Sequence, residues 1–275
     1  MADSTGVLFT LDVEDHTKKY DHDGRYVANT LRLLENLAEK GIRGTCFFVG
    51  RVAEAAPELV RTAVASGHEI ACHSWSHQPL DHEEPNRFRE ESRRAKLLLE
   101  DLAGTSVVGF RAPVFSLTLT TLWTLDVLLD LGFTYSSSVL PAPNPTYGFP
   151  TAPCEPFRWP CGLAELVCPV ARIGPVRFPY LGGVYLRYLP LCLISQILST
   201  DDRACRWIYC HPYDFDDAEP FLHIPGTTYA ASLLLWFQRK NTLTKVLALA
   251  EGRQTLGEWV TLFGGSLPVF DGRGN

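Results

Sequence analysis

Four short polar clusters hold the side chains of this sequence that could do chemistry together. Asp12-Val13-Glu14-Asp15-His16 supplies acids and His73-Ser74-Trp75-Ser76-His77 two imidazoles. Arg111-Ala112-Pro113-Val114-Phe115 adds a guanidinium, and His211-Pro212 a further imidazole. His73 and His77 are four residues apart, so on one helical turn their rings point the same way and can bind one metal ion. A carboxylate from the first cluster would complete a two-histidine, one-carboxylate site with positions open for water and substrate. Such a metal lowers the pKa of its water to roughly 7 and polarises a carbonyl, and a second carboxylate nearby can take the water's proton. A bare HxxxH pair is a weak signal, often incidental on a helix surface; the acidic run before it is what gives it weight. Arg111 precedes an Ala-Pro step whose restricted backbone can pre-position a guanidinium, although a lone Arg is more often part of a structural ion pair. His211 must be protonated to donate to a leaving amine, and Asp214 or Asp216 just beyond it would raise its pKa.

The elements that must position these clusters alternate along the first half of the chain. Val7–Val13 reads as a buried strand, and Val27, Leu31, Leu34 and Ala38 form one helix face that Gly41 ends. Residues 45–50, 68–73, 107–110 and 133–137 read as further strands. Helical patterns lie between them at 57–65, 86–102 and 121–131, with Glu90 and Arg94 placed for an i,i+4 pair. Strands alternating with helices mean βαβ units and a parallel sheet. In a β/α barrel the C-terminal strand ends meet at one mouth, and all four polar clusters stand at such ends. Residues 141–179 carry ten prolines and little periodicity, and read as a long, loop-rich surface excursion with an irregular strand or two. A helix near 189–198, a strand at 206–210 and helices at 230–239 and 243–250 follow.

Composition narrows the class. The chain has 275 residues, 25 Lys+Arg against 31 Asp+Glu, a net charge of −6 and 46% apolar residues. That is a globular composition, of a length that suits one barrel domain over 1–275. The acidic balance and the lack of a basic run argue against nucleic acid and against a polybasic membrane anchor. No apolar stretch is long enough for a transmembrane helix. The first residues show no secretory pattern, which gives a cytoplasmic expectation. The eight cysteines lack CxxC spacing and read as reduced thiols. The trio Cys154, Cys161 and Cys168 is a remote candidate for metal or cross-linking. Oligomeric state is not readable.

TLDVED, HSWSH, RAPVF and the late CHP together resemble the polysaccharide deacetylase superfamily, the NodB-homology domains of carbohydrate esterase family four. FFVGRVAEAAPELVR, GHEIACHSWSH, YSSSVLP, GGVYLRYLP and IYCHPYDFD resemble most the deacetylases associated with exopolysaccharide biosynthesis. The resemblance implies a distorted (β/α)7 barrel and metal-dependent removal of an N-acetyl group from an amino sugar, in a polysaccharide, on a lipid or in a small glycoside. It assigns Asp12 as catalytic base, His73 and His77 as metal ligands with Asp15 as the third, Arg111 as the residue orienting Asp12, and His211 as general acid. The acids read D-V-E-D where the family commonly has adjacent aspartates; if the strand runs straight through Glu14, that residue shares a face with Asp12 and replaces Asp15. The implied cofactor is a divalent ion, zinc first, with cobalt, nickel or iron as alternatives. Trp75, Phe115, Gly182, Gly183 and Tyr185 are candidates for substrate contact, with loop packing the alternative for Trp75 and a tight turn the alternative for the run 181–185. Relatives of this barrel that open cyclic amides or imides, or remove formyl groups, define the second functional expectation.

Overall fold

The computed structural model describes residues 6–224 and 227–272. Ten strands occur among them: β1 (Val7–Val13), β2 (Gly44–Phe48), β3 (Glu69–Cys72), β4 (Gly109–Phe110), β5 (Tyr135–Ser136), β6 (Phe157–Arg158), β7 (Ala164–Glu165), β8 (Val170–Ile173), β9 (Val176–Pro179) and β10 (Arg206–Cys210). β8 and β9 form a separate hairpin. The other eight make one sheet in the order β10-β1-β2-β3-β4-β5-β7-β6. Seven of these run parallel, and β6 lies antiparallel on β7 at the edge. This is the expected α/β architecture, a curled, incompletely closed barrel of the (β/α)7 kind. Where β10 would meet β7 there is no strand pairing; the segment at Leu181 and Gly182 bridges to Tyr209 instead, with the Tyr209 amide donating to the Leu181 carbonyl at 3.3 Å.

The helices are α1 (Arg25–Glu39), α2 (Gly50–Ala55), α3 (Pro57–Ala65), α4 (Pro85–Ala103), α5 (Thr124–Asp130), α6 (Gly183–Tyr188), α7 (Leu191–Ser199), α8 (Tyr229–Trp236), α9 (Thr242–Leu249) and α10 (Leu256–Phe263). On α1 the buried face runs through Tyr26, Val27, Thr30, Leu33, Leu34 and Leu37. It shares Val27 and Leu34 with the face read from spacing.

The period-two alternation of the strands divides the apolar residues into two cores. Val7, Phe9, Leu11 and Val13 of β1 pack outward against helices with Cys46, Phe48, Ile70, Cys72, Ile208 and Cys210. Leu8, Phe47, Ala71, Tyr135, Trp207 and Tyr209 point into the barrel. The N-terminal end of the barrel is plugged by the start of α10, where Leu256 N–H donates to Thr45 Oγ1 and Gly257 N–H to Glu69 Oε2, both at 2.9 Å.

The reading of 141–179 as a surface excursion needs correcting. Phe149, Phe157, Trp159, Leu163, Ala164 and Leu166 are buried, and β7 supplies the last parallel strand. The prolines bracket β6 and β7, each only two residues long, which leaves no alternation to read there.

Register decides what arrives at the mouth. Leu11 pairs Cys210 and Asp12 pairs Phe47. Phe48 pairs both Val13 and Cys72, and Cys72 pairs Phe110. The residues just after each strand, Glu14, His73, Arg111 and His211, therefore stand at nearly one level.

Candidate active site

Asp12 faces the barrel interior because it has the parity of Leu8 and Thr10. Its Oδ1 accepts a hydrogen bond of 2.6 Å from Nη1 of Arg111. Arg111 is wholly buried. Its guanidinium also donates to Thr10 Oγ1 (2.9 Å), the Ser137 carbonyl (3.2 Å) and Ser137 Oγ (3.0 Å). It lies over the rings of Phe47 at 3.9 Å and Trp207 at 4.3 Å. A charge removed from water in this way is tolerated because the fork is paired and its faces are covered by aromatic rings. Asp12 is left with one free oxygen, Oδ2, which stands 3.9 Å from His73 Nε2 and 4.0 Å from His211 Nε2.

Parity also settles the two acids that follow. Glu14 continues the inward face, and its Oε2 lies 4.0 Å from His73 Nε2 and in close contact with His77 Nε2. Asp15 turns to the other side. Its carboxylate is used up closing the loop 15–20, accepting from the Thr17 amide and hydroxyl (2.9 and 2.7 Å) and from the Lys19 and Tyr20 amides (3.0 and 2.9 Å). The expectation that Asp15 stands beside the two histidines is therefore corrected: Glu14 does. Glu14, His73 and His77 are the one group among the described residues whose ligand atoms, all within 4.8 Å of one another, could hold a metal ion. Cys154, Cys161 and Cys168 form no such group.

His73 and His77 converge by another route than the helical turn expected of them. They belong to a loop in which Ser74 (φ 62°) and His77 (φ 55°) take left-handed backbone conformations. The loop is pinned at the N-terminus of α2, where the Gly50 and Arg51 amides donate to the Ser74 and Trp75 carbonyls at 2.9 and 3.1 Å. Ser74 Oγ accepts from the His77 amide at 3.0 Å. Non-glycine residues at positive φ are uncommon and gather at functional sites.

The donor set fits a divalent cation. His73 Nδ1 lies 2.8 Å from the Arg111 carbonyl, so it carries the proton and Nε2 presents a lone pair to the carboxylates. Burial pushes the His73 imidazole down to about 4, which keeps it neutral. Burial alone would raise Glu14, but His77, His211 and His73 outweigh it and hold the carboxyl far below its ordinary range. Glu14 Oε2 is buried, and its polar neighbours are the ring nitrogens of His77 and His73. Imidazole nitrogens and a carboxylate oxygen converging on one point are complementary to a cation.

His211 follows β10. Its ring Nδ1 and its own amide both meet Asp214 Oδ2 at 2.9 Å, so Nε2 faces the cleft. Burial would lower this imidazole, but the charge of Glu14 and the Asp214 hydrogen bond raise it to about 9. Of the two acids considered as its partner, Asp214 takes the role; Asp216 is held by Arg25 at 2.6 and 2.5 Å. Two contacts went unread in the sequence. Tyr213 stacks on His211 at 4.7 Å. Arg187 of α6, fully buried, has its Nε 3.2 Å from Asp214 Oδ1. Only the Asp214 bond to His211 had a signal, the H-P-Y-D spacing, a capping arrangement in which the fourth residue bonds back to the first.

A cavity of 710 Å³ opens over these groups, and Phe115, Gly183 and Tyr185 line it. Gly182 lies behind that wall, where a Cβ would come within 2.2 Å of the Tyr209 ring. Trp75 does not line the cleft, which corrects its place among the substrate contacts. It is buried beneath Arg94, whose guanidinium sits 3.6 Å above the ring. Arg94 pairs with Glu54 at 2.8 Å rather than with Glu90.

A barrel with acids, imidazoles and an arginine at its C-terminal mouth has counterparts of the same fold among known proteins. Residues 13–136 match the model of the polysaccharide deacetylases, and residues 137–258 that of a domain of unknown function, DUF3473. The first half of the chain thus carries a match to the polysaccharide deacetylase domain. The two matched segments share one sheet: the first carries the last residue of β1 and β2 to β5, with Glu14, His73, His77 and Arg111, the second β6, β7 and β10, with His211. The chain is similar to chitin deacetylase 1 of Cryptococcus neoformans, 33% identical over 81 residues, which are 30% of this chain and 17% of that one. It is 31% identical over 107 residues to a chitooligosaccharide deacetylase of a Bradyrhizobium species, 38% of this chain and 46% of that one. The chain thus spans less than half the length of these curated relatives. Among solved structures, a Mycobacterium smegmatis protein assigned to the polysaccharide deacetylases superposes with TM-score 0.61 at 20% identity, covering 94% of this chain and 90% of that one. The PuuE allantoinase superposes with TM-score 0.61 at 16% identity, over 98% and 93%. At these identities the likeness is one of fold.

Proposed function

We propose that the protein hydrolyses the N-acetyl group of an amino sugar, releasing acetate and a free amine. The observation that carries this reading is Asp12, bonded through one oxygen to Arg111 and leaving the other 4.0 Å from the Nε2 of His211. A base and an acid thus face the same point. Glu14, His73 and His77 would hold a divalent ion, zinc by the mixed nitrogen and oxygen donors. When bound, such an ion supplies Lewis acidity toward the acetamide carbonyl and acidifies water. Asp12 Oδ2 takes the proton of the attacking water, because Oδ1 is committed to Arg111. His211, kept protonated by Asp214 and Glu14, gives its Nε2 proton to the nitrogen as the C–N bond breaks. The family match and the chitin and chitooligosaccharide deacetylases among the relatives support a sugar rather than a cyclic amide as substrate.

The test is acetate release from N-acetylglucosamine oligomers by the purified chain supplied with Zn²⁺ or Co²⁺, alongside allantoin and a formamide. We expect acetate from the oligomers and at least about 10²-fold less from the Asp12→Ala variant. Undiminished activity in Asp12→Ala, or turnover of the cyclic amide alone, overturns the reading.

A further inference from the structure

The helix that rims the cleft is built inside out for a protein in water. On α8 the residue turned inward is Ser232, whose hydroxyl accepts the Ile224 amide at 3.1 Å. The residues turned outward are Tyr229 (62% exposed), Leu233 (40%) and Leu234 (47%), with Phe237 (54%) and Leu222 (46%) beside them. No Asp, Glu, Lys or Arg occurs between Glu219 and Arg239. A surface helix normally buries its leucines and exposes polar residues, and a contiguous apolar patch marks a binding surface. The segment is also held firmly: Arg187 Nη1 donates to the Leu235 and Phe237 carbonyls (2.6 and 3.2 Å), and Trp236 Nε1 to the Glu219 carbonyl (2.7 Å).

The patch continues into the cleft. Ala231, Leu234 and Leu235 line the cavity together with Val184, Tyr188 and Leu189. A polysaccharide brings hydroxyls on every ring, and a wall of leucines offers them no partners. A second copy of the chain is disfavoured by area, since a stable interface needs roughly 20–30 residues a side, and one seated here would stopper the cleft. An eight-residue helix is about 12 Å long and cannot cross a bilayer, but it can lie in the interface with its apolar side chains immersed.

We propose that α8 and the residues around it are a membrane-docking face, which sets the cleft against a lipid leaflet so that the acetylated amino sugar is taken from a lipid carrier. The substrate half rests on the deacetylase reading; the docking half does not. With a net charge of −6 on the chain and few cations on this face, apolar burial rather than charge attraction supplies the binding. Neutral lipid therefore suffices.

The experiment is flotation of the full chain with phosphatidylcholine vesicles, beside the triple variant Tyr229→Ser, Leu233→Ser, Phe237→Ser. None of these three lines the cleft, and circular dichroism checks that the variant folds. We expect the parent to float, with little loss on raising salt, and the variant's bound fraction to fall at least about tenfold. A parent that stays in solution, a variant that floats equally, or self-association of the parent that the variant abolishes overturns the proposal. A second arm compares octyl with methyl N-acetylglucosaminide. A KM at least about tenfold lower for the octyl glycoside, lost in the variant while kcat on the methyl glycoside holds, supports the lipid-carrier half. Equal KM values overturn that half. Acetate from neither glycoside counts against the deacetylase reading, and flotation still decides the docking.

Discussion

Asp12 is held on one oxygen only, and much follows from which partner holds it. Arg111→Ala would leave a buried carboxylate unpaired, so we expect a loss of stability of roughly 3–5 kcal/mol. Combining it with Asp12→Ala should recover part of that loss, as denaturant midpoints would show. Asp12→Ala alone should lower kcat about 10²–10⁴-fold, and it too should cost stability, because the buried Arg111 guanidinium loses its carboxylate. The two neighbouring acids separate by a different measurement. Glu14→Gln should lose bound zinc in elemental analysis, whereas Asp15→Asn should retain it, having only the loop of residues 15–20 to disturb. As the proposed general acid, His211 acts when protonated. Against burial, Glu14 and Asp214 raise its pKa, so activity should fall on an alkaline limb as pH rises through that raised value, while protonation of the Asp12 base closes the profile at low pH. Asp214→Asn removes a bond that favours the charged ring, so its alkaline limb should move toward neutrality in a kcat–pH profile.

At the scale of elements, His68 shows how a strand start is fixed. Its Nδ1 accepts the Gly44 amide at 3.0 Å, tying the turn after α3 to β2. Burial pushes its imidazole down to about 4. The unfolded chain takes up that proton near 6.5. The contribution is therefore fully present above about pH 6.5 and is lost as pH falls toward 4, by at most about 3 kcal/mol. In thermal or urea unfolding, His68→Gln should flatten the pH dependence of stability in that window.

The elements also show what was readable beforehand. The β/α alternation and the strand-end clusters were legible because period-two and helical spacing are local. Glu14 was legible only by following strand parity past Val13, and a motif carried over from relatives pointed to Asp15 instead. The loop bearing His73 and His77 was not legible, since nothing in S-W-S announces left-handed backbone at Ser74 and His77. Strands of two residues among ten prolines hid β6 and β7. The contact of Arg187 with Asp214 joins residues from separate elements and leaves no local pattern.

Across the whole molecule, the seam of the cylinder is what distinguishes one side from the other. From β10 through β1 to β4 the wall is a continuous ladder of parallel pairs, and these strands deliver the acids, the imidazoles and the arginine. Between β10 and β7 the ladder is replaced by a single bridge, Gly182 to Tyr209, in a segment that continues directly into the cleft wall at Gly183 and Tyr185. A cylinder yields first where it has fewest cross-links. The aperture can therefore widen there without any change in the spacing of Asp12 from Arg111. Hydrogen exchange should show the Tyr209 amide opening well before those of Leu11 or Cys46, and Gly182→Ala should speed it further. The continuous ladder is then the stiff side, which carries Asp12 and Arg111, and the singly bridged seam the side whose yielding would set how bulky a substrate enters.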